Sequence, residues 1–230
     1  MANGTLYIVS TPIGNLKDIT FRAVEILSSV DSIASEDTRH TMILLKKYNI
    51  YKPLISYYSQ NRIQRAASLL QSLHNGKNVA LVSDAGTPGI SDPGFYLIRK
   101  AIDNGIPVIP VPGPSALLAG LVASGLPMDR FIFEGFLPAK KGRRKRLEEL
   151  AKELRTIVLF EGPHRILKTL REIKEVMGDR KIVIAREITK IYEEFFRGTI
   201  SKAIEHFSIN KPRGEFVLLL GEHYLNADKD

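Results

Sequence analysis

The chain has 230 residues, of which 44% are hydrophobic and 25% are charged, with a formal net charge of +8 and no cysteine. This composition is typical of a soluble globular protein with one large or two smaller domains, and the lack of cysteine excludes disulfides, thiolate metal sites and a cysteine nucleophile. No apolar segment approaches the roughly 18 residues of a membrane helix, and no basic residues precede the first apolar segment as in a secretion signal. We therefore expect a cytoplasmic protein that does not associate with a membrane.

The first part of the sequence alternates apolar with amphipathic segments, as α/β proteins do. The apolar segments predict strands at Thr5–Val9, near Ile33, at Val79–Val82 and at Pro107–Val111. Helical periodicity predicts a helix capped by Thr20, one that follows Glu36–His40 and continues through Lys47, and two at Ile63–His74 and Phe95–Asn104. The apolar face expected for the first helix includes Phe21, Val24, Ile26 and Leu27. These elements predict a parallel α/β domain over residues 1–111.

The alternation starts again in the second part of the sequence. Strands are predicted at Phe131–Phe133, Thr156–Phe160, Lys181–Ala185 and Glu215–Leu220. Helices are predicted from Ser115 onward, at His164–Met177 and at Ser201–Phe207. This predicts a second α/β domain over residues 112–230, so that the simplest architecture has two α/β lobes with a cleft between them.

Two loops rich in Gly, Pro, Ser and Asp follow predicted buried strands. They are VSDAGTPGISDPG at Val82–Gly94 and VPGPSA at Val111–Ala116. In open α/β sheets, ligands bind beyond the carboxyl ends of the strands, and Gly and Pro there let the backbone approach a ligand in a fixed loop shape. The loops therefore predict a small-molecule site lined mainly by main chain, although ordinary tight turns favour the same residue types.

Several common signatures are absent from the sequence. There is no GxGxxG after the first strand and no GxxxxGK[ST], which excludes a dinucleotide-binding turn and a P-loop. There is also no HExxH motif or paired histidine spacing, so we expect no metal site.

One segment carries most of the positive charge of the chain. KKGRRKR at Lys140–Arg146 has six basic residues among seven. Such a segment usually contacts phosphate groups, although a solvated helix start is the alternative. Because it adjoins EGFLP and precedes a helical pattern, we interpret it as an exposed connection that binds nucleic acid. The residues expected to bind RNA here are Lys140, Lys141, Arg143, Arg144, Lys145 and Arg146.

Eight motifs occur in order along nearly the whole chain: STPIGNLxDI, EDTRH, LVSDAGTPGISDPG, VPGPSA, GLPxDRFxFEGFLPxKxxxR, FEGPHR, AREITKxxE and GEFVLL. With them the sequence resembles the ribosomal RNA small subunit methyltransferase I family, which is similar in fold to the tetrapyrrole methylases. The resemblance implies two αβα lobes with S-adenosylmethionine in the cleft between them, and a homodimer. It also implies 2′-O-ribose methylation of a decoding-centre cytidine in 16S ribosomal RNA, with either the free RNA or the 30S ribosomal subunit as the partner.

The resemblance, taken together with the residue chemistry, assigns a cofactor site. Main-chain groups and the Asp84 carboxylate can meet the amino-acid tail and ribose of the cofactor, and amides at a helix N-terminus can bind its carboxylate. The opposite wall is expected from the end of the first strand. Phe160 is a candidate to pack on the adenine, with a plain core role as the alternative. The expected cofactor-binding residues are Pro12, Gly14, Asp84, Ala85, Gly86, Thr87, Pro88, Ser115, Ala116 and Phe160.

For the chemistry, polar residues beyond the strand ends are the candidates. We expect Glu187 or Lys190 to act on the attacking ribose hydroxyl, and Arg39 and Arg165 to hold phosphates. A network of ion pairs is the alternative interpretation of these residues. The segment Tyr57–Arg62 lacks the histidines that are usual in the family. We expect this difference to affect binding of the substrate more than methyl transfer.

Two other functions remain open at the level of the sequence. A small-molecule methyltransferase of the tetrapyrrole type would share the cofactor loops but would not need the basic segment. A non-catalytic RNA-binding or assembly protein would keep only a vestigial cleft, and the intact DAGTPG and PGPSA loops argue against it.

Overall fold

The computed structural model describes residues 2–209 and 212–221. Residues 210, 211 and 222–230 of the predicted second domain therefore lie outside the described residues. The chain forms two compact units, Met1–Ser115 and Ala116–Asp230. Each unit contains one five-stranded sheet with helices, which confirms the predicted α/β class.

The first unit has a sheet in which every strand pair is parallel, as predicted. Its strand order is β3-β2-β4-β1-β5. The elements are β1 (Leu6–Val9), α1 (Phe21–Ser29), β2 (Ser32–Ser35), α2 (Thr38–Lys47), β3 (Leu54–Ser56), α3 (Arg62–His74), β4 (Val79–Val82), α4 (Gly94–Asp103) and β5 (Val108–Val111). Strand β3 was not predicted, since three partly buried residues at the sheet edge are too few for a periodic pattern.

Alternate strand residues of the first unit enter two different cores, so the sheet is covered on both faces. On one face, Leu6 and Leu81 pack with residues of α3 and α4 such as Leu69. On the other face, Val9 packs with residues of α1 and α2 such as Leu27. The first unit is therefore a three-layered αβα structure, which places its loops at the two ends of the strands.

Helix α1 begins as predicted, and its predicted apolar face is confirmed at Val24, Ile26 and Leu27 but not at Phe21. The Thr20 hydroxyl accepts a hydrogen bond from the amide of Ala23 at 3.1 Å, which confirms the N-cap. The buried residues are Ala23 and Leu27, one helical turn apart, whereas Phe21 is 91% exposed. The expectation that Phe21 belongs to the apolar face is wrong because a residue two positions before Ala23 points to the opposite side of the helix.

The second unit has a mixed sheet with the order β6-β7-β10-β8-β9. Its elements are α5 (Ala116–Val122), β6 (Phe131–Phe136), α6 (Arg143–Leu150), β7 (Thr156–Glu161), α7 (Ile166–Met177), β8 (Lys181–Arg186), β9 (Glu194–Thr199), α8 (Ile200–Ile209) and β10 (Phe216–Leu220). Strands β6 and β7 are parallel, and the other three pairs are antiparallel. The last strand, β10, lies at the centre of the sheet and is buried throughout.

The core of the second unit joins one face of this sheet to α6, α7 and α8. Each helix contributes buried residues to that core, for example Leu147 from α6, Leu170 from α7 and Ala203 from α8. Helix α5 lies against the other face, where a side chain at Gly120 would come within 3.1 Å of Val217. None of the helices in residues 2–209 is long and apolar enough to cross a membrane.

Candidate functional site

Two loops of the first unit are joined by backbone hydrogen bonds at the carboxyl edge of the sheet. The Thr11 amide donates to the Gly86 carbonyl at 2.9 Å, and the Gly86 amide donates to the Thr11 carbonyl at 3.0 Å. The Thr11 hydroxyl also donates to the carbonyl of Ser83 at 3.1 Å. The loops that follow β1 and β4 therefore form one continuous surface, which is built mostly from main chain.

The loop after β5 packs against this surface. The hydroxyl oxygens of Ser10 and Thr87 lie 2.9 Å apart, and the Thr87 hydroxyl donates to the Pro114 carbonyl at 3.4 Å. A side chain at Gly113 would come within 3.0 Å of the Ser10 Cβ, so the absence of a Cβ at Gly113 allows this close approach. The two Gly/Pro-rich loops singled out in the sequence thus meet at one end of the sheet, because β4 and β5 both pair with β1.

Gly86 connects loops rather than presenting its amide to a ligand. Its φ of +81° is in the region that glycine favours, and its N–H is bonded to Thr11. Of its predicted neighbours, Ala85 is exposed and Pro88 is buried. Gly86 therefore fixes the shape of the loop. The ligand contacts predicted for this loop are left to Asp84, Ala85, Thr87 and Pro88.

Asp84 joins the same region to helix α2. Its Oδ1 accepts a hydrogen bond from the amide of Asp37 at 2.9 Å. Beside it is a cavity of about 50 Å³ that Pro12 helps to line, whereas Gly14 is exposed. The lining residues are Thr11, Pro12, Leu16, His40, Thr41, Ile43, Leu44, Ser83 and Asp84.

Acidic side chains accumulate at this edge. Burial raises the pKa of Glu36, and the neighbouring charges of Asp84 and Asp92 raise it further. Burial also raises the pKa of Asp92, although its Oδ1 accepts hydrogen bonds from the amides of Gly89 and Gly94 at 2.8 and 2.7 Å. The local field is therefore negative and favours a cationic ligand. Glu36, one of the polar residues that follow a strand end, and Asp92, inside the conspicuous Gly/Pro loop, are not among the predicted cofactor residues.

An open groove of about 490 Å³ begins beside Glu36 in the first unit. Arg39 lines it with a side chain that is 90% exposed, and its Nη2 pairs with Asp37 Oδ2 at 2.8 Å. This pair lowers the pKa of Asp37 through the hydrogen bonds from Arg39. The segment Tyr57–Arg62 contributes Tyr58, Ser59 and Gln60 to the groove, whereas Tyr57 is buried and burial raises its pKa to about 12.

The two predicted catalytic residues, both in the second unit, contact each other. Lys190 Nζ lies 2.8 Å from Glu187 Oε1 and 3.0 Å from Glu215 Oε2, and the same Glu187 oxygen accepts the Glu215 amide at 3.0 Å. Burial opposes the charge on Glu187, but the hydrogen bonds from Lys190 and Glu215 outweigh it and lower the pKa of Glu187. For Lys190, burial is likewise outweighed by the two carboxylates, so its pKa is raised. Lys190 is therefore charged and suited to act as a cation, not as a base.

The backbone around this pair is unusual. Glu187 and Thr189 have φ values of +50° and +68°, which non-glycine residues rarely adopt. Gly214, at φ +82°, leaves the space that the Glu187 side chain fills, because a Cβ there would overlap Cγ and Cδ of Glu187. The glycine of the GEF motif therefore determines where the Glu187 carboxylate lies.

The expectation that the whole basic segment is exposed and binds RNA is wrong for Arg143. Its guanidinium is 6% exposed and donates to Glu172 Oε2 and to the Thr169 hydroxyl, each at 2.6 Å, and to the Pro138 carbonyl at 3.1 Å. Glu161 Oε2 lies 3.9 Å from it. Arg143 thus holds α6 against α7 and is inaccessible to a phosphate group.

The other two arginines of the segment also have partners in the protein. Arg144 pairs with Glu148 and Glu175, and Arg146 pairs with Glu134 and Glu149. Arg144 is 69% exposed, and the three lysines are exposed too, but unlike the arginines they form no ion pair with the described residues. Most of the acidic partners lie four or more positions away in the chain, so the sequence alone showed only the excess of positive charge. The surface that remains for phosphate contacts consists of Lys140, Lys141 and Lys145.

Arg165 and Phe160 lie in the second unit near the end of β7. Arg165 Nη2 is 2.8 Å from Oε1 of the buried Glu161, whose Oε2 accepts the Thr169 hydroxyl at 2.6 Å. The Phe160 ring makes edge contacts with two other phenylalanines, at centroid distances of 5.0 and 5.7 Å. Sequence reasoning missed Glu161, the last residue of β7, and a carboxylate directly after an apolar strand is the signal that could have revealed it.

The predicted cofactor residues are divided between the two units. Ser115 ends the first unit, and Ala116 begins helix α5 in the second. Within the residues that the structure describes, no group of three or more His, Asp or Glu side chains could hold a metal ion.

Comparison with known proteins gives a consistent result at the level of sequence. The profile of the Tetrapyrrole (Corrin/Porphyrin) Methylases matches residues 5–204. "Ribosomal RNA small subunit methyltransferase I" of Thermotoga maritima is 55% identical over 217 residues, which cover 94% of this chain and 98% of that protein. The proteins of the same name from Synechocystis and Bacillus subtilis are 53% and 49% identical, each over 94% of this chain and over 78% and 75% of their own length.

Solved structures share the fold at low sequence identity. A cobalt precorrin-4 methyltransferase has a TM-score of 0.71 at 20% identity, with 94% of both chains covered. A uroporphyrin-III C-methyl transferase from Thermus thermophilus, complexed with S-adenyl homocysteine, has a TM-score of 0.68 at 20% identity and covers 95% of this chain and 98% of its own. These structures establish likeness of fold alone.

Proposed function

The chain belongs to the tetrapyrrole methylase family, and we propose that it transfers a methyl group from S-adenosylmethionine to the RNA of the small ribosomal subunit. The observation that carries this proposal is the 55% identity to the Thermotoga maritima methyltransferase over nearly the full length of both chains. The tetrapyrrole enzymes share the fold at only about 20% identity, which favours RNA over a tetrapyrrole as the substrate.

The finer assignment follows the motifs of the sequence. We propose that the acceptor is the 2′-hydroxyl of a decoding-centre cytidine in 16S ribosomal RNA, presented by the 30S subunit. We further propose that the enzyme works in the cytoplasm as a homodimer. Both proposals are based on the sequence resemblance to the methyltransferase family, which motifs such as EDTRH and AREITK carry.

The loops of the first unit fit the proposed cofactor chemically. The negative field around Glu36, Asp84 and Asp92 suits a ligand with a sulfonium and an ammonium group, and the loops offer a fixed main-chain surface. When bound, the sulfonium supplies an electrophilic methyl group. The proposed cofactor contacts are Pro12, Gly14, Asp84, Ala85, Thr87, Pro88, Ser115, Ala116 and Phe160, with Gly86 shaping the loop.

The Glu187–Lys190 pair supports the proposed role of these residues at the ribose hydroxyl. That hydroxyl would pass its proton to a water molecule as its oxygen takes up the methyl group, and a fixed cation stabilises the negative charge that develops there. The ammonium of Lys190 can serve this purpose, and Glu187 holds it in place and keeps it charged. Orientation of the hydroxyl and exclusion of bulk water lower the reaction barrier further. Arg39, Arg165 and the three exposed lysines are proposed to contact phosphates.

A labelling experiment tests this function. Purified protein is incubated with methyl-labelled S-adenosylmethionine and, in parallel, with 30S subunits, deproteinised 16S RNA and a porphyrin precursor. We expect label in the RNA of the subunits, at one cytidine whose ribose resists alkaline cleavage. As a control, Lys190→Met should slow the single-turnover rate while S-adenosylmethionine affinity stays near that of the parent. Label on the porphyrin precursor alone, or no binding of S-adenosylmethionine, would contradict the proposal.

A further inference from the structure

The turn between β8 and β9 exposes two large side chains. Ile191 is 94% exposed and Tyr192 is 73% exposed, whereas the preceding strand β8 is buried at four of its six positions. These residues occupy the variable positions of AREITKxxE, directly after Lys190. Neither the proposed cofactor contacts nor the proposed chemistry at Lys190 involves them, and leaving an aromatic ring and a large aliphatic chain in water is unfavourable.

The turn is rigid although its tip is exposed. Its backbone is held by hydrogen bonds from the Glu187 amide to the Glu215 carbonyl at 3.0 Å and from the Lys190 amide to the Glu187 carbonyl at 2.9 Å. The Thr189 amide donates to Glu193 Oε2 at 2.6 Å. The two positive φ values at Glu187 and Thr189 are retained only where such contacts determine the conformation. A ring on this turn is therefore pre-positioned, so that a ligand binding to it orders little additional structure.

We propose that Tyr192 stacks on an unpaired base of the RNA substrate, next to the nucleotide that Lys190 serves, with Ile191 packing beside it. This proposal rests on the proposed function. Single-stranded RNA is recognised largely by aromatic side chains on which unstacked bases lie. The position of Tyr192, two residues after Lys190, places the platform beside the group proposed to act on the ribose. Arg213 is exposed on the adjoining segment and supplies a positive charge for the flanking phosphates.

The size of the exposed tip argues against a protein partner. A stable interface between two proteins buries about 800 Å² on each side, whereas a single aromatic side chain buries about 150–250 Å². Two adjacent side chains at the tip of a turn match the area of one nucleobase better than that of an interface. Glu193 and Glu215 beside the tip leave it without the broad basic surface that binds duplexes, which favours a single unpaired base.

Fluorescence tests the stacking independently of methyl transfer. The chain contains no tryptophan, so Tyr192→Trp introduces a single reporter. We expect its emission to be quenched by a single-stranded oligoribonucleotide and much less by a duplex of the same composition. Tyr51→Trp is the matched control, since Tyr51 is 81% exposed in the first unit, and its emission should change little. Equal quenching of the two reporters, or no quenching of the Tyr192→Trp protein, would overturn the proposal.

Kinetics with 30S subunits give the second measurement. Tyr192→Ala should raise the KM for the subunits roughly fivefold to a hundredfold, the range expected from loss of one base stack. S-adenosylmethionine affinity should be unaltered, and Tyr192→Phe should recover most of the loss. Tyr51→Ala is the control. If Tyr192→Ala instead alters the molecular mass in solution and leaves the KM unchanged, the tip is a protein interface and the proposal is wrong. If the parent protein does not methylate 30S subunits, the proposed function is wrong. The fluorescence measurement then still shows whether Tyr192 stacks on an RNA base.

Discussion

The two units hold their candidate functional residues in different ways. In the first unit, Thr11 and Gly86 join the loops through main-chain hydrogen bonds. In the second unit, Arg143, Glu187 and Lys190 are held by charged side chains that neutralise one another. Main-chain hydrogen bonds survive most side-chain substitutions, whereas removal of one member of a buried ion pair leaves an uncompensated charge. Substitutions should therefore alter ligand binding in the first unit and folding or geometry in the second.

The largest effect is expected from Arg143→Met in the second unit. Removal of a buried guanidinium that serves Glu172, Thr169 and Glu161 should lower the free energy of unfolding by about 3–5 kcal/mol. Denaturant unfolding followed by circular dichroism measures this change. Arg144→Met is the control within the same segment, since that arginine is exposed and its ion pairs contribute little. Equal unfolding midpoints for the two variants would show that the contacts of Arg143 contribute no more to stability than the exposed ion pairs of Arg144.

The second prediction concerns the position of Glu187. In Gly214→Ala the new Cβ would overlap the Glu187 side chain, so the carboxylate and the Lys190 it holds must move. Gly178→Ala is the matched control, because Gly178 has a similar φ of +78° and its added Cβ would have no described atom within 4 Å beyond its own chain neighbours. Both variants should be destabilised by about 1–2 kcal/mol through backbone strain.

Their methyl-transfer rates should differ, in contrast. Gly214→Ala should lower the single-turnover rate by up to about a hundredfold through displacement of the pair, and Gly178→Ala should stay near the parent. The measurement is methyl transfer to 30S subunits at saturating S-adenosylmethionine. An equal decrease of the rate in both variants would mean that the position of Glu187 has no influence on the chemistry.

A smaller effect is expected in the first unit. Asp84→Asn retains an oxygen that can accept the Asp37 amide but removes the negative charge. Affinity for S-adenosylmethionine should fall roughly tenfold, the effect of losing one hydrogen bond to a charged group. Titration calorimetry measures it, with Asp103→Asn, at the exposed end of α4, as the control. Unaltered affinity in a folded Asp84→Asn protein would place the cofactor away from these loops.

The smallest effect on the protein itself is expected from the three exposed lysines. Replacement of Lys140, Lys141 and Lys145 by alanine should leave stability unchanged. It should reduce the slope of log affinity for RNA against log salt by about 0.7–0.9 for each phosphate group that the protein no longer neutralises. The control replaces an equal number of exposed lysines in the first unit: Lys46, Lys47 and Lys100. An unchanged slope in the first variant would move the RNA surface elsewhere.

Local features of the sequence were sufficient for much of the fold and for the loop site. The alternation of apolar and amphipathic segments predicts most helices and strands because their periods are set by neighbouring residues. Gly and Pro after Val82 and Val111 predict the loops that meet at the sheet edge, since backbone freedom and rigidity are properties of single residues. The Thr20 cap follows from a similarly local hydrogen bond.

Only the tertiary structure decided what depends on residues distant in the chain. Strand β10 lies between β7 and β8 and makes the second sheet mixed, an arrangement that no local pattern encodes. Arg143 is an internal ion-pair residue because Glu172, 29 positions away, comes within 2.6 Å of it. The charge of Lys140–Arg146 was visible in the sequence, but its division between internally paired arginines and exposed lysines was not. Composition determines how much charge a segment carries, whereas packing determines which of those charges remain for a partner.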